Sequence, residues 1–226
     1  MESRLESYQN KLIEKSLPLS ERVVEAFYAH PRHLFVPEYL PHKAYEDRAL
    51  SIYEKEPYRS TISQPSFVLR ILDLMELEPG QKVYELGAGS GWNSALLAYL
   101  VGPSGQVIST EIIPEIAERA QKILRDRNVA NARVLNRDGF EGTISEGPFD
   151  RIIFTAGSAE FPEKLFSSLK ENGLMVFVRE RGGGEDELLE VIRKKDGHAE
   201  VKISIPCQFV PVVRKKESHL DDGILE

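Results

Sequence analysis

Cysteine is almost absent from this sequence. Among its 226 residues there is a single cysteine, Cys207. A lone cysteine excludes an internal disulfide, and it has no neighbouring thiol with which to form a redox pair or a metal site. We interpret Cys207 as a small apolar side chain buried on a strand. Histidine, cysteine and carboxylate residues also show no ligand spacing, so the sequence predicts no metal site.

An excess of basic residues and a long apolar run are missing as well. Lysine and arginine number 29 against 36 aspartate and glutamate residues, which gives a formal net charge of −7. A protein that binds nucleic acid or anionic membranes needs a basic face, so we expect neither partner. The N-terminal stretch MESRLESYQNKLIEKS is charged and amphipathic, and we expect no signal peptide and no membrane span. The expected protein is a cytoplasmic monomer.

The first 60 residues are predicted to form a helical and irregular arm. Residues 1–30 show the spacing of two helices, and the hydroxyl of Ser20 is placed to cap the second, which should end before Pro31. The stretch from Pro31 to Ser60 is rich in proline and aromatic residues but has no sustained period. This composition favours an irregular packed arm over a flexible linker. If the arm covers a bound ligand, it would serve as a lid that excludes water.

Beyond the arm, helices and strands alternate. Helical spacing covers residues 66–77, 116–128 and 162–170, and the short apolar runs between and after them are KVYEL, GQVIST, ARVLNRD, RIIFTA and GLMVFV. Such alternation is typical of βαβ units around a mostly parallel sheet that is covered on both faces. The sequence therefore predicts an α/β fold with a doubly wound, mostly parallel sheet.

The C-terminal part allows two interpretations. EDELLEVIRKK has the propensity of a helix, whereas Asp196-Gly197 followed by the alternating EVKISI indicates a hairpin of two antiparallel strands, which we favour. The tail from Glu217 has too little apolar surface to dock, and it is expected to fray. The predicted organisation is an arm at residues 1–60, a core at 61–216 and a frayed tail at 217–226.

A glycine-rich turn follows the first strand of the predicted sheet. In VYELGAGSGW, the glycines Gly87, Gly89 and Gly91 lie between a strand and a helix. Glycine allows a sharp turn and the close approach of a ligand, and the amides that begin the next helix point outward as donors. The loop is interpreted as a nucleotide cradle rather than only a tight turn. A dinucleotide fingerprint would need another glycine where Trp92 stands, which disfavours an NAD-dependent enzyme.

Acidic residues lie at the ends of three predicted strands. Glu85 ends the strand before the glycine loop, and Glu111 ends the next one. A carboxylate at the second position can accept hydrogen bonds from both hydroxyls of a ribose. Asp138, which Gly139 follows, can accept one from an adenine amino group. Any one of these acids could be a solvated strand end, but three of them beside a glycine loop indicate an adenosine site.

This pattern resembles the class I S-adenosylmethionine-dependent methyltransferases, and further motifs narrow the resemblance to the protein-L-isoaspartate O-methyltransferases. Residues 20–214 carry these motifs in the order, and at about the spacing, of that family: HLFVP (33–37), AYED (44–47), TISQP (61–65), ELGAGSGW (85–92), RDG (137–139), FDRIIFTA (149–156) and FVPVV (209–213). The resemblance implies a Rossmann-like fold with a seven-stranded sheet and an antiparallel C-terminal hairpin.

The resemblance also implies a reaction. A methyl group would pass from S-adenosylmethionine, leaving S-adenosylhomocysteine, to the free carboxylate of L-isoaspartyl residues in damaged proteins or peptides. The active-site serine that the family has in its T-I-S motif maps onto Ser63, with Thr61 and Ile62 on the acceptor side; an alternative role for Ser63 is to cap the helix that follows. The implied cofactor residues are Glu85, Gly87, Ala88, Gly89, Ser90, Gly91, Glu111, Asp138 and Gly139.

The presumed substrate half departs from the family pattern in three places. Ser60 replaces the usual glutamine before T-I-S, the loop at residues 157–160 is no longer alanine-rich, and Arg179 and Arg181 precede three glycines. The two arginines could bind an acidic substrate or could simply be solvated. Two alternative functions therefore stay open: methylation of another peptide or small-molecule carboxylate, and a cofactor-binding interaction module without catalysis.

Overall fold

The computed structural model describes residues 2–140, 144–181 and 186–214. Its helices are α1 (Glu2–Ser16), α2 (Glu21–Ala29), α3 (Pro41–Ala44), α4 (Pro65–Leu74), α5 (Trp92–Val101), α6 (Pro114–Asp126) and α7 (Glu163–Ser167), with 3₁₀ turns at Arg32–Leu34 and Ile144–Glu146. Its strands are β1 (Leu50–Lys55), β2 (Tyr58–Ile62), β3 (Lys82–Leu86), β4 (Gln106–Glu111), β5 (Ala132–Asn136), β6 (Phe149–Ser158), β7 (Leu169–Arg181), β8 (Asp186–Lys195) and β9 (His198–Cys207).

Strands β3 to β9 form one seven-stranded sheet in the order β5, β4, β3, β6, β7, β8, β9. Neighbours from β5 to β7 are parallel, whereas β8 is antiparallel to both β7 and β9. The chain passes from β3 to β4 and β5 on one side and then returns to β6 on the other side. In an open α/β sheet, such a reversal opens a crevice at the carboxyl ends of the strands. The topology therefore places the ligand crevice beside the end of β3.

Both faces of the sheet are buried, because successive side chains of a strand point to opposite faces. Val83 lies in the apolar cluster beneath α4, α5 and α6, whereas its neighbour Tyr84 lies in the cluster on the other face. Leu165 and Phe166 of α7 belong to that second cluster. The predicted doubly wound α/β fold, with its antiparallel C-terminal strands, is confirmed.

The N-terminal arm packs into the same core as the sheet. Phe27 and Phe35 are fully buried, and they lie in one cluster with residues of α4 and α5. The arm is irregular only in part, because β1 and β2 form an antiparallel pair from Leu50↔Ile62 to Lys55↔Tyr58 that the sequence pattern did not reveal. The boundary predicted after residue 60 falls inside β2.

The helices differ from the predicted ones at their ends. Ser20 is the N-cap of α2, but its hydroxyl makes no capping bond, and its amide donates to Asp73 Oδ1 at 3.0 Å instead. Helix α4 ends at Leu74 rather than 77, because Glu76 adopts a left-handed backbone with φ of +47° that a helix cannot continue. Helix α7 is shorter than predicted, since Leu169 already pairs with Phe149 in the sheet.

The predicted C-terminal hairpin is confirmed, and the alternative helix is wrong. Asp196 and Gly197 have φ of +51° and +78°, the left-handed pair that a tight turn between β8 and β9 requires. Cys207 is the last residue of β9 and is only half-buried. The tail at 217–226 lies outside the described residues. In the part of the chain that the structure describes, no helix combines the length and apolar character needed to cross a bilayer.

Candidate active site

A cleft opens where the strand order reverses, at the carboxyl ends of β3, β4 and β6. Its walls include the end of β2 and the residues after it, the glycine loop with the start of α5, and the turn after β4. Part of α4, residues 137 and 139 after β5, residues 153–156 of β6 and residues 209–213 also line it. Most predicted site residues line it, namely Thr61, Ile62, Ser63, Gly87, Ala88, Gly89, Ser90, Glu111 and Gly139. The other three, Glu85, Gly91 and Asp138, are buried and do not line it.

Left-handed backbone shapes the glycine loop. Gly87, Gly89 and Gly91 have φ of +94°, +52° and +81°, a region that residues with a Cβ rarely adopt. A Cβ on Gly87 would also collide with the hydroxyl of Thr155, which lies 2.6 Å from the Gly87 carbonyl oxygen. Gly91 packs on α6, where a Cβ would come within 3.4 Å of the Ala120 Cβ. At these three positions the loop backbone therefore favours glycine.

The carboxylate of Glu111 lies in the cleft wall and braces the loop. One oxygen accepts the Gly89 amide and the other the Ile113 amide, each at 3.0 Å. Burial raises the pKa of Glu111, and the amide hydrogen bonds oppose part of that rise. Each carboxylate oxygen keeps a second lone pair, so the group can still accept the two hydroxyls of a ribose. A loop built on three glycines beside such an acceptor fits an adenosine-type cofactor.

Glu85 lies behind the glycine loop rather than in the cleft wall. It is on the same strand face as Val83, beneath α5, and it is completely buried. Its carboxylate accepts hydrogen bonds from Ser94, from Ser109 at 2.5 Å and from Asn93 at 2.8 Å. Burial raises its pKa to about 6, against the effect of these bonds. The predicted direct contact with a cofactor is not supported by this geometry; Glu85 instead fixes Asn93, which lines the cleft.

Asp138 lies just beneath the cleft wall. Its side chain is 2% exposed, and one oxygen accepts the Phe140 amide at 2.9 Å. The other oxygen lies 3.7 Å from the Arg214 guanidinium. Its neighbours Arg137 and Gly139 line the cleft, and the contact of Asp138 with adenine stays a prediction.

The acceptor residues lie directly above the glycine loop. A Cβ on Gly89 would stand 3.5 Å from the Thr61 carbonyl oxygen and 3.6 Å from the Ser60 hydroxyl. Ser63 is not the cap of α4, because Gln64 holds that position. The acceptor segment, which we define as residues 60–63, therefore borders the place where the cradle would present a reactive group.

A C-terminal stretch that carried no predicted role completes the cleft. The amide of Gly157 donates to the Val210 carbonyl at 2.9 Å, and the Val212 amide donates to the Gly157 carbonyl at 2.7 Å. These bonds hold residues 209–213 beside the end of β6. The FVPVV motif pointed to this stretch, but only the fold brings it to the cleft. Trp92, Asn93 and Thr155 were also missed, and no motif singles out Thr155.

Comparison with known families decides the identity. The model of the protein-L-isoaspartate(D-aspartate) O-methyltransferase family matches residues 4–217. The chain belongs to this family. An Ignicoccus hospitalis protein-L-isoaspartate O-methyltransferase is 39% identical over 216 residues, which are 96% of this chain and 100% of that protein. A Methanopyrus kandleri enzyme of the same name is 42% identical, over 86% of this chain and 84% of the relative.

Solved structures agree with this assignment. A protein-L-isoaspartate O-methyltransferase structure with 29% identity superposes with a TM-score of 0.82, covering 92% of this chain and 65% of that one. A Plasmodium falciparum structure, described as a β-aspartate methyltransferase in complex with S-adenosyl-L-homocysteine, has a TM-score of 0.77 at 23% identity and covers 92% of this chain and 98% of that one. The second likeness concerns the fold.

Arg179, one of the departures from the pattern of protein-L-isoaspartate O-methyltransferases, lies away from the cleft wall. Its guanidinium pairs with Glu190 at 2.9 Å and lies 5.2 Å from the centre of the Phe177 ring. Its hypothesised grip on an acidic substrate is therefore not supported. Arg181 is exposed, and residues 182–184 fall outside the described chain. Within residues 2–140, 144–181 and 186–214, no group of three histidine, cysteine or carboxylate residues could hold a metal.

Proposed function

We propose that this protein methylates the free carboxylate of L-isoaspartyl residues in damaged proteins or peptides, with S-adenosylmethionine as the methyl donor. Family membership supports the reaction. The observation that supports it for this chain is that the two halves of the site adjoin: a Cβ placed on Gly89 would stand only 3.5 Å from the Thr61 carbonyl oxygen of the acceptor segment. A carboxylate bound at Ser63 would therefore lie beside the cofactor cradle, as a direct transfer requires.

Different residues of this chain would bind the cofactor and the acceptor. Gly87, Ala88, Gly89 and Ser90 would hold the methionine part of the cofactor, and Glu111 would hold its ribose. The cofactor supplies a methyl group on a positively charged sulfur. A carboxylate has a reference pKa of about 4 and is already ionised at neutral pH, so no general base is needed. The acceptor side therefore has to orient and desolvate the carboxylate.

Ser63 is proposed to orient the acceptor. Its hydroxyl would donate a hydrogen bond to one carboxylate oxygen and leave the other oxygen free to attack. Thr61 and Ile62 would form the wall along which the peptide lies. The hairpin of β1 and β2 carries these residues and would shield the site from water, which is the lid role expected of the arm.

The proposed partners follow from the same chemistry. The substrate is a damaged protein or peptide, and we propose neither a nucleic acid nor a membrane as a partner. The net charge of −7 supports this restriction. We further propose that the protein acts as a monomer in the cytoplasm.

Methyl transfer from labelled S-adenosylmethionine to three peptides tests the proposal. The peptides share one sequence and differ only in carrying L-isoaspartate, L-aspartate or D-aspartate. We expect label on the isoaspartyl peptide. Ser63→Ala should lower kcat/KM by roughly 10- to 100-fold, the value of a hydrogen bond to a charged group, with unchanged affinity for S-adenosylhomocysteine.

Ser167→Ala is the matched control, because Ser167 is an exposed serine of α7 outside the cleft. It should leave kcat/KM unchanged. Equal labelling of the isoaspartyl and aspartyl peptides would refute the proposed specificity. Cofactor binding without label on any peptide would instead favour another acceptor or a protein without catalysis.

A further inference from the structure

Arg32 is a buried cation next to the acceptor segment, and the proposed chemistry does not use it. Its side chain is fully buried. In the described part of the chain, all its hydrogen bonds go to main-chain carbonyls: Ser63 and Ala44 at 2.6 Å each, Arg48 at 3.2 Å and Ile62 at 3.4 Å. Burying a charge is costly unless its donors are satisfied. A guanidinium in such a place therefore calls for an explanation.

The four carbonyls belong to two segments that are distant in sequence. Ala44 and Arg48 lie in the arm, whereas Ile62 and Ser63 lie in the acceptor segment. One rigid, planar group thus joins the two segments. An ammonium group has three donors around a single point and cannot reproduce this fork. The geometry is specific for arginine.

The same guanidinium also contacts the cofactor half of the site. It lies 5.0 Å from the centre of the Trp92 ring, and Trp92 begins α5 directly after the glycine loop. Burial lowers the pKa of Arg32 to about 9, so the group stays charged at neutral pH. The charge favours the face of an indole ring. Arg32 is therefore placed between the acceptor segment and the helix that carries the cofactor loop.

A second arm residue, Asp47, fixes the chain just after the acceptor segment. Asp47 accepts the Ser66 amide at 3.1 Å and the Ser66 hydroxyl at 3.0 Å. Ser66 follows Pro65, whose ring restricts the backbone. The backbone from Ile62 to Ser66 is thus held by Arg32 at its start and by Asp47 at its end.

We propose that Arg32 is a positioning residue for methyl transfer: by binding the carbonyls of Ile62 and Ser63 it sets the distance from the Ser63 hydroxyl to the cofactor loop. This inference rests on the proposed function, since it assigns Ser63 the acceptor side. Arg32 itself does not line the cleft.

Arg32→Lys tests the proposal against a matched control, Arg151→Lys. Arg151 is also a buried arginine whose donors bind main-chain carbonyls, here of Met75, Glu76 and Asp150, but it lies at the start of β6, away from the cleft. We expect Arg32→Lys to lower kcat for the isoaspartyl peptide by roughly 10-fold or more, with S-adenosylhomocysteine affinity by calorimetry within about twofold of the wild type. Arg151→Lys should lower thermal stability but keep kcat.

A double variant asks whether Arg32 acts through Ser63. In the Ser63→Ala background, Arg32→Lys should lower kcat by no more than about twofold, because coupled residues are not additive. Independent, multiplicative losses would overturn the proposal. So would an equal loss of kcat in Arg151→Lys, which would show a general effect of disturbing the fold.

Hydrogen exchange followed by mass spectrometry gives a readout that needs no turnover. Arg32→Lys should speed exchange in a peptide covering residues 60–66 and leave one covering 83–91 unchanged. Unchanged exchange at 60–66 would overturn the positioning role even in an active enzyme. If the wild type labels no peptide, the proposed function fails, and the exchange experiment still decides whether Arg32 holds the segment.

Discussion

At the scale of single residues, two glycines with a similar left-handed backbone differ in their surroundings. Gly87 has φ of +94° and faces the Thr155 hydroxyl, whereas Gly197 has φ of +78° with open space where a Cβ would stand. We expect Gly87→Ala to weaken S-adenosylhomocysteine binding by at least about tenfold, because both the backbone and Thr155 must move to admit a methyl group. Titration calorimetry measures this affinity.

Gly197→Ala is the control for backbone strain alone. It should cost about 1–2 kcal/mol of unfolding free energy and leave the affinity unchanged, because the β8–β9 turn is far from the cleft. If the two variants lose affinity equally, the loop is not the cradle inferred here.

Glu85 makes stability depend on pH in the direction opposite to that of a salt-bridged carboxylate. Burial raises its pKa from 4.5 to about 6, so the folded protein holds this proton more tightly than the unfolded chain does. Stability from this group is present below pH 4.5 and is lost as pH rises through 6. The shift corresponds to roughly 2 kcal/mol.

Glu85→Gln removes the ionisable group; its NH2 cannot accept the hydrogen bond from Asn93, but that loss does not vary with pH. The amide oxygen can still accept the Ser94 and Ser109 hydroxyls, and the side chain cannot ionise. Urea unfolding of both proteins between pH 4.5 and 7 should show the wild type losing stability relative to the variant by roughly 2 kcal/mol as pH rises. A constant difference over this range would mean that Glu85 titrates normally.

At the scale of elements, the two hairpins show what local sequence can reveal. The β8–β9 turn is Asp196-Gly197, and the residues after it alternate, so the sequence was sufficient to predict it. The β1–β2 turn contains Glu56-Pro57 without glycine, and its strands carry exposed charged residues such as Glu54 and Lys55. Leu50 and Ile62 of this hairpin are buried in the apolar core, and a local pattern cannot show that packing.

Asp47 links the arm to helix α4 and provides a test at this scale. Its carboxylate caps the first turn of α4 through Ser66, so Asp47→Ala should cost about 1 kcal/mol of stability. Because Ser66 ends the stretch that includes Ser63, KM for the isoaspartyl peptide should also rise by about three- to tenfold. Steady-state kinetics and thermal unfolding measure the two effects.

Asp73→Ala is the matched control. Asp73 likewise accepts a main-chain amide across elements, that of Ser20, but at an exposed position where α4 meets α2. It should lose similar stability and keep the wild-type KM. If KM rose equally in both variants, the contact of Asp47 with Ser66 would have no specific role in peptide binding.

At the scale of the whole molecule, residues at the ends of strands were more predictable than residues that act between distant segments of the chain. The glycines and Glu111 are tied to strand ends, and the ends of parallel strands meet at one edge of the sheet. Arg32 and Thr155 act through contacts between segments that are far apart in sequence, so the spacing of residues along the chain cannot predict them. Glu85 was predicted on the correct strand. Because successive side chains of a strand point to opposite faces of the sheet, however, its carboxylate lies beneath α5.

The single tryptophan tests whether arm and core are one folding unit. Trp92 is 2% exposed, its indole donates to the His30 carbonyl at 2.9 Å, and its ring is 6.2 Å from that of Phe27. Its fluorescence therefore reports the docking of α2 on α5, whereas far-ultraviolet circular dichroism reports the whole sheet. Phe27 of the arm and Trp92 of the core lie in one apolar cluster. We therefore expect the fluorescence and dichroism transitions to coincide.

Ligand binding extends this test to the site. S-adenosylhomocysteine at about 100 times its Kd should stabilise the protein by roughly 2.7 kcal/mol and raise both midpoints together by about 5–10 °C. Gly87→Ala should show a much smaller shift at the same concentration. A fluorescence transition below the dichroism transition would mean that the arm undocks first, and a ligand shift confined to dichroism would mean that the arm does not take part in binding. Coincident shifts require that the arm, with Arg32 and Asp47, and the cofactor loop form a single cooperative structure.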